Sequence, residues 1–486
     1  VSAFPDGSRL SAAVAAVFRR AVPVRFPILV SSSASLLSGS GGRGRRVVLR
    51  LSGTAIAFAL HRIPHLQDDQ KGEPMTHSSL VRLLAGLFLV CLAAAPLRAQ
   101  EPPRFLIESI VVEGMSRAAG RQIVADESLL KPGQTYTEPQ LRLAVYRVKR
   151  LQFVVDAEFS LRKGSERGAY ELVITVEEAT PVFFLAEADG QRELFRDFYT
   201  GKLQRATVWQ KFGTLGGRMF VGSHGLAYGS VQKVQHQDGE LAQAGYTQYD
   251  LFGAGSFAGA NVSSAEGFSG VSQSEVALFG GVPLTSAQSL SLGIQWLRGK
   301  TDFGSSGFAR DEQRQGTLSW TYNTTDDPLF PMSGTSASVS AAYGRESRFE
   351  RSFGGDQVFD YNSHLHFYWI AAGGTWHLPL TARQSFEMGG GFNRETFAYR
   401  EQPPAGTSLQ GYLFVGHSIN LWGYERTQRF GDLRWENAVA AHYYDVTGTL
   451  SGPAAKSVDL NSSLGYRSRW GVVRLSFTYS GVWTSY

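Results

Sequence analysis

From about residue 200 onward, apolar and polar residues alternate in segments of about ten, separated by Gly, Asp, Asn and Ser. Leu290, Leu292, Ile294 and Trp296 alternate with Ser291, Gly293 and Gln295. Leu318, Trp320 and Tyr322 alternate with Thr317, Ser319 and Thr321. Val458, Leu460, Leu464 and Tyr466 oppose Asp459, Asn461, Ser463 and Arg467. Val473, Leu475, Phe477 and Tyr479 oppose Arg474, Ser476, Thr478 and Ser480. Period two puts all the apolar side chains of a strand on one face. A soluble sandwich alternates in the same way, but small residues on the second face favour a transmembrane barrel over residues 200–486. In lipid such a sheet must close, because an open edge strands its backbone hydrogen-bonding groups. The length allows about 12 to 16 antiparallel strands.

Residues 103–182 follow a different pattern. Phe105 to Gly114 reads as a strand ending in glycine, Arg117 to Leu130 has helical spacing, and Lys131-Pro-Gly-Gln134 is a turn. Thr137, Pro139 and Gln140 start a second helix with a capping box. Leu141, Ala144, Val145, Val148 and Leu151 give it an apolar stripe. Two strands follow, Phe153 to Leu161 and Tyr170 to Val176, completing a βααββ unit.

Between Met75 and Ala99 lies Arg82, an apolar run from Leu83 to Ala95 and a small residue at the end, the pattern of a secretory signal peptide. Cys91, the single cysteine, falls inside that run, so the exported chain is expected to carry none, as suits an oxidising compartment. Residues 1–74 show no consistent period. They are expected to be disordered or an over-extended translation of upstream DNA, with Lys71-Gly72-Glu73 encoded by a ribosome-binding site. The Gly39, Gly41, Gly44 spacing there lacks the strand and helix that nucleotide binding requires.

The α+β unit resembles a POTRA domain, the periplasmic module of the BamA/TamA-like outer-membrane proteins. Val112, Glu113 and Gly114, the turn glycine Gly133, and Leu151 and Phe153 carry the resemblance, with Gln152 standing where the family commonly has glycine. Two barrel segments extend it. Asp327, Pro328, Phe330, Pro331 and Gly334 are similar to the family's motif at the start of a mid-barrel strand. Trp422, Gly423, Tyr424, Arg426, Arg429 and Asp432 resemble its inward-folded loop, with Trp422 in the place of the family's arginine. Only 62 residues follow Tyr424, room for about three strands where the family usually has five. The resemblance implies a bacterial outer-membrane location with the first domain in the periplasm. The implied contacts are membrane lipid, unfolded client chains or an accessory periplasmic protein, taken up by adding a strand to a sheet edge.

Composition narrows the rest. The chain has 486 residues, 54 of them glycine and only 18% charged, and no apolar run long enough for a spanning helix. Its formal charge of +5 comes from the first 99 residues; the remainder is slightly acidic, so nucleic acid is not an expected partner. No G-x-S-x-G, H-E-x-x-H, phosphate-binding loop or Cys/His metal set is present. Neither catalysis nor a cofactor or metal is expected; Asp326 and Asp327 read as turn residues, and His364 and His366 as exposed or lumenal. The expected function is assembly or translocation of outer-membrane proteins, with a passive pore or ligand-binding barrel as the alternative.

Overall fold

The computed structural model describes residues 47–51, 54–58, 102–196, 203–235, 239–267, 271–354, 357–399, 406–422, 432–447 and 452–484. The expected signal peptide lies outside these residues, as do Gly423, Tyr424, Arg426 and Arg429. In the upstream segment, strands β1 (Val47–Leu51) and β2 (Thr54–Phe58) pair antiparallel.

The α+β domain runs β3 (Arg104–Glu113), α1 (Ala118–Glu127), β4 (Gln134–Thr137), α2 (Glu138–Val148), β5 (Val154–Lys163) and β6 (Ala169–Glu178). Its sheet has the order β4-β3-β6-β5, with β3 and β6 parallel and the outer pairs antiparallel. Strand β4 is an addition to the expected βααββ order. At four residues it is too short to show a period, and it forms because Gln134 to Thr137 lies along the start of β3. The second helix starts as its residues dictate: the Thr137 amide donates to Gln140 Oε1 at 2.8 Å, and Pro139 needs no partner in the first turn. Leu141, Ala144, Val145, Val148 and Leu151 are all buried against the sheet. Gly114, at φ +86, ends β3 where a Cβ would come within 2.0 Å of the Val176 carbonyl. Only glycine fits that approach.

Fifteen strands close the barrel. They are β7 (Val182–Arg196), β8 (Leu203–Val221), β9 (Gly225–Gln235), β10 (Gly239–Tyr249) and β11 (Phe257–Gly267). Next come β12 (Val271–Pro283), β13 (Gln288–Asp302), β14 (Gly307–Asn323), β15 (Gly334–Gly354) and β16 (Gln357–Thr381). The last five are β17 (Gln384–Tyr399), β18 (Gly406–Trp422), β19 (Asp432–Thr447), β20 (Gly452–Ser468) and β21 (Gly471–Thr484). The barrel starts at Val182, well before the expected boundary near residue 200. In β7 the outward positions pass through Ala186, Ala188 and Gly190 while the lumenal ones include Phe183 and Leu185, so the apolar rhythm is weak.

Every consecutive barrel pair is antiparallel, but an odd number of alternating strands leaves the first and last running the same way. Strands β21 and β7 therefore close the barrel in parallel, with Gly471 opposite Phe184 through to Gly481 opposite Leu194. Parallel hydrogen bonds are slanted and slightly weaker per residue, so this seam differs from every other pair in the barrel.

The outer face is the one that alternation predicted. Leu292, Leu318 and Leu475 are more than half exposed, and Ile294, Val339 and Val473 stand out beside them. Tyr343, Tyr368 and Trp376 add exposed aromatic rings. A closed barrel with a belt of this kind fits the hydrocarbon layer of a membrane. No helix among the described residues is long and apolar enough to cross one. The inner positions of β20 and β21 are polar and buried: Asp459, Asn461, Ser463, Ser476, Thr478 and Ser480.

Candidate functional site: the mouth of the barrel beneath the domain

Three residues, 179–181, join β6 of the domain to β7 of the barrel, so the domain sits at the end where β7 begins. Among the described residues, the turns β8–β9, β10–β11, β12–β13, β14–β15, β16–β17 and β20–β21 lie at this end. The domain core continues into them. Phe153 meets Phe220 edge to face at 4.8 Å and Tyr249 at 6.3 Å, and Leu226 is fully buried in the same cluster. Edge-to-face rings of this kind add about 0.5–1.5 kcal/mol per pair beyond burial.

Two arginines of the second helix and its end pin the domain in register. Arg147 donates to the Gly255 carbonyl at 3.2 Å and pairs with Glu127 at 2.8 Å. Arg150 donates to the Asn323 carbonyl and side chain at 3.0 and 2.9 Å, just before the β14–β15 turn. Between these groups and the barrel wall lies a cavity of about 590 Å³, lined by Gln152, Thr321, Ser336, Gly373 and Tyr412 among others. Charged residues beside an apolar helical stripe read as solvated from sequence, so neither arginine was expected here.

Burial pushes the Glu127 carboxyl up to about 7, even though Arg147 pulls it back. A carboxyl whose folded pKa lies above its ordinary value stabilises the fold fully below that ordinary value and loses this contribution as pH rises through about 7. We expect the denaturant midpoint of the domain to fall between pH 5 and pH 8, and Glu127→Gln to flatten that fall. Equal slopes for the two proteins would refute it.

The β14–β15 turn is closed by its own two aspartates. Asp326 Oδ1 accepts the amides of Met332 and Ser333, and Asp327 Oδ1 those of Leu329 and Phe330, both at 2.8 Å. Both aspartates therefore act as turn residues, and Asp327 does more. With its turn it reaches across the mouth to β20, where the Arg467 guanidinium binds both of its oxygens at 2.7 and 2.9 Å. The same guanidinium takes Asp432, the first residue of β19, through Nε at 2.9 Å. Phe330 is 4% exposed and lies under two guanidiniums, Arg467 at 5.2 Å and Arg434 at 5.7 Å from the ring centre. Arg434, fully buried, donates to Ser418 Oγ at 2.7 Å and pairs with Glu436 at 2.9 Å. Gly334, at φ +103, releases the chain into β15 where a Cβ would lie 2.3 Å from the Thr324 carbonyl.

Two motifs that are separate in sequence thus meet on one residue. Asp327 and Phe330 come from one, Asp432 from the other, and Arg467, which alternation placed only on the polar face of β20, joins them. Pro328 is exposed and Pro331 half-buried at the sides of the turn. Trp422 is the last residue of β18 and pairs with Leu433 after a register shift. The strand ends at Trp422 and Asp432 both face the domain side. In the domain, Glu113 pairs with Arg162 at 2.9 Å, Val112 packs on the core, and Gly133, at φ +79, shapes the turn into β4. Leu151 and Phe153 are buried where the domain meets the barrel.

No protein-family profile and no curated protein matches the chain. Among solved structures it is similar to BamA from Haemophilus ducreyi lacking POTRA domains 1–3. That match has 14% identity over 79% of this chain and 82% of that one, with a TM-score of 0.40. It is also similar to CdiB from Acinetobacter baumannii, at 9% identity over 75% and 68% of the two chains and a TM-score of 0.36. OmpT of Vibrio cholerae matches at 10% identity over 63% and 98%, with a TM-score of 0.30. Identities and scores of this size leave family and activity unassigned.

Proposed function

We propose that the chain is an outer-membrane assembly or translocation factor of the BamA/TamA type, in which a POTRA-like periplasmic domain receives unfolded chains and the barrel inserts or passes them without catalysing a chemical reaction. The reading is carried by one observation: the domain's β6 leads through three residues into β7, a strand of the barrel's single parallel seam. Among the described residues β5 pairs only with β6, so it is an edge strand at which an extended client can add. A strand added there lies beside β5, whose partner β6 leads into the seam strand. The mechanism uses backbone hydrogen bonds, which accept any sequence, and a weak line in the wall for lateral release.

The test is reconstitution of the full chain into vesicles of outer-membrane lipid and addition of a urea-unfolded barrel protein. Insertion, read as heat-resistant mobility of the client on gels, is expected to be accelerated about tenfold or more over empty vesicles, as for a lowered barrier of about 1.4 kcal/mol. A rate equal to that of lipid alone would sink the proposal. The lumen's buried Ser, Thr and Asn residues favour a second reading, a passive pore. Stable single-channel conductance together with no acceleration would establish that reading instead.

A further inference from the structure

Three side chains from three segments converge beside the docked domain and have no part in the function proposed above. Asp126 stands near the end of α1, His224 in the β8–β9 turn, and Asp250 in the turn after β10. One ligand atom from each lies within 4.8 Å of the others. His224 Nε2 is 3.8 Å from Asp126 Oδ2, while Nδ1 is engaged by Ser223 Oγ at 2.7 Å. Asp250 uses Oδ1 to accept the Gly255 amide at 2.8 Å; its Oδ2 is buried and has no hydrogen-bond partner. A buried carboxylate oxygen without a partner is costly, and a cation would satisfy it.

We propose that Asp126, His224 and Asp250 bind one divalent transition-metal ion of the zinc type, which clamps the domain to two barrel turns. The donor set decides the class. Calcium and magnesium take six or more oxygens, whereas one imidazole nitrogen and two carboxylates with a position open to water suit zinc. In the tautomer with hydrogen on Nδ1, that N–H donates to the Ser223 hydroxyl oxygen and leaves the Nε2 lone pair for the metal, an outer contact of the kind that orients metal-binding histidines. Tetrahedral bonds of about 2.0–2.2 Å place ligand atoms about 3.4 Å apart, so binding draws these three slightly together. The ion also removes the repulsion between Asp126 and Asp250. Because one ligand belongs to the domain and two to barrel turns, the clamp stiffens the same junction that Phe153, Arg147 and Arg150 form.

The experiment is equilibrium dialysis of the full chain, folded in detergent, against Zn²⁺, with bound metal counted by mass spectrometry. One ion per chain is expected. His224→Gln and Asp250→Asn should each weaken binding about tenfold or more. Asparagine tolerates the positive φ of +57 at position 250 and keeps an acceptor for Gly255, so this variant preserves the turn. Heat-resistant gel mobility checks that both variants fold. A second readout, trypsin cleavage in the domain with zinc or with a chelator, uses only the unaltered chain; zinc should slow it. Substoichiometric binding, binding that the two substitutions leave unchanged, or cleavage that ignores zinc would overturn the proposal. Binding needs no client, so its failure and that of the insertion assay are independent.

Discussion

Replacing Arg467 with methionine is expected to lower the stability of the folded barrel by about 3–5 kcal/mol, the cost of leaving a buried carboxylate without its partner. Arg467 ties the β14–β15 turn to β20 and to the start of β19, and its loss leaves Asp327 and Asp432 facing one another. Burial raises the Asp327 carboxyl, yet Arg467 and the amides of Phe330 and Leu329 outweigh it and hold the group below the ordinary aspartate range. A depressed pKa stabilises the fold above the ordinary value and is lost as pH falls through the depressed one, so the barrel should weaken in strong acid. The Phe330 ring also loses one of its two guanidinium neighbours. Guanidinium unfolding followed by tryptophan fluorescence measures the effect. Arg467→Lys should fall in between, because it keeps the charge but cannot bind Asp327 and Asp432 together. Adding Asp327→Asn to Arg467→Met should recover part of the loss, since the pair is coupled. Unchanged midpoints would show that the turn is held by its own hydrogen bonds alone.

A disulfide across the parallel seam is expected to abolish client insertion. Ala188 and Leu475 are opposed in the register of β7 and β21. Adjacent strands lie about 4.8 Å apart, within the reach of a disulfide. With Cys91 replaced by serine, the Ala188→Cys, Leu475→Cys chain holds no other thiol. Oxidation should bring insertion down to the rate of lipid alone, and reductant should restore it. A matching pair across β12 and β13, Val276→Cys with Trp296→Cys, should leave the rate unchanged, because that antiparallel pair lies away from the seam. Full activity of the oxidised seam would show that clients leave by another route, and the coupling of β6 to β7 would then carry no function.

Much of this molecule follows from local pattern. Alternation identified the lipid-facing residues of β13, β14, β20 and β21, and helical spacing identified the buried stripe of α2 down to Leu151. The three strands after residue 424 followed from chain length alone. The miss at β7 has a local cause too: small outward residues, Ala186, Ala188 and Gly190, and apolar lumenal ones, Phe183 and Leu185, weaken the rhythm that reveals a strand.

What sequence could not supply is which ends meet. Asp327 and Arg467 are 140 positions apart, and nothing in either neighbourhood names the other. Their meeting depends on closure of the sheet, which brings the β14–β15 turn over β19 and β20. The parallel seam is likewise a property of the strand count as a whole, since one strand more or fewer would make the closing pair antiparallel. Arg147, Arg150, His224 and Asp250 look like ordinary solvated residues until the domain seats on the turns. Periodicity sets the face on which a side chain lies, because that is fixed by the neighbouring residues along the same strand or helix. Its partner is set by closure and docking, which only the whole chain determines.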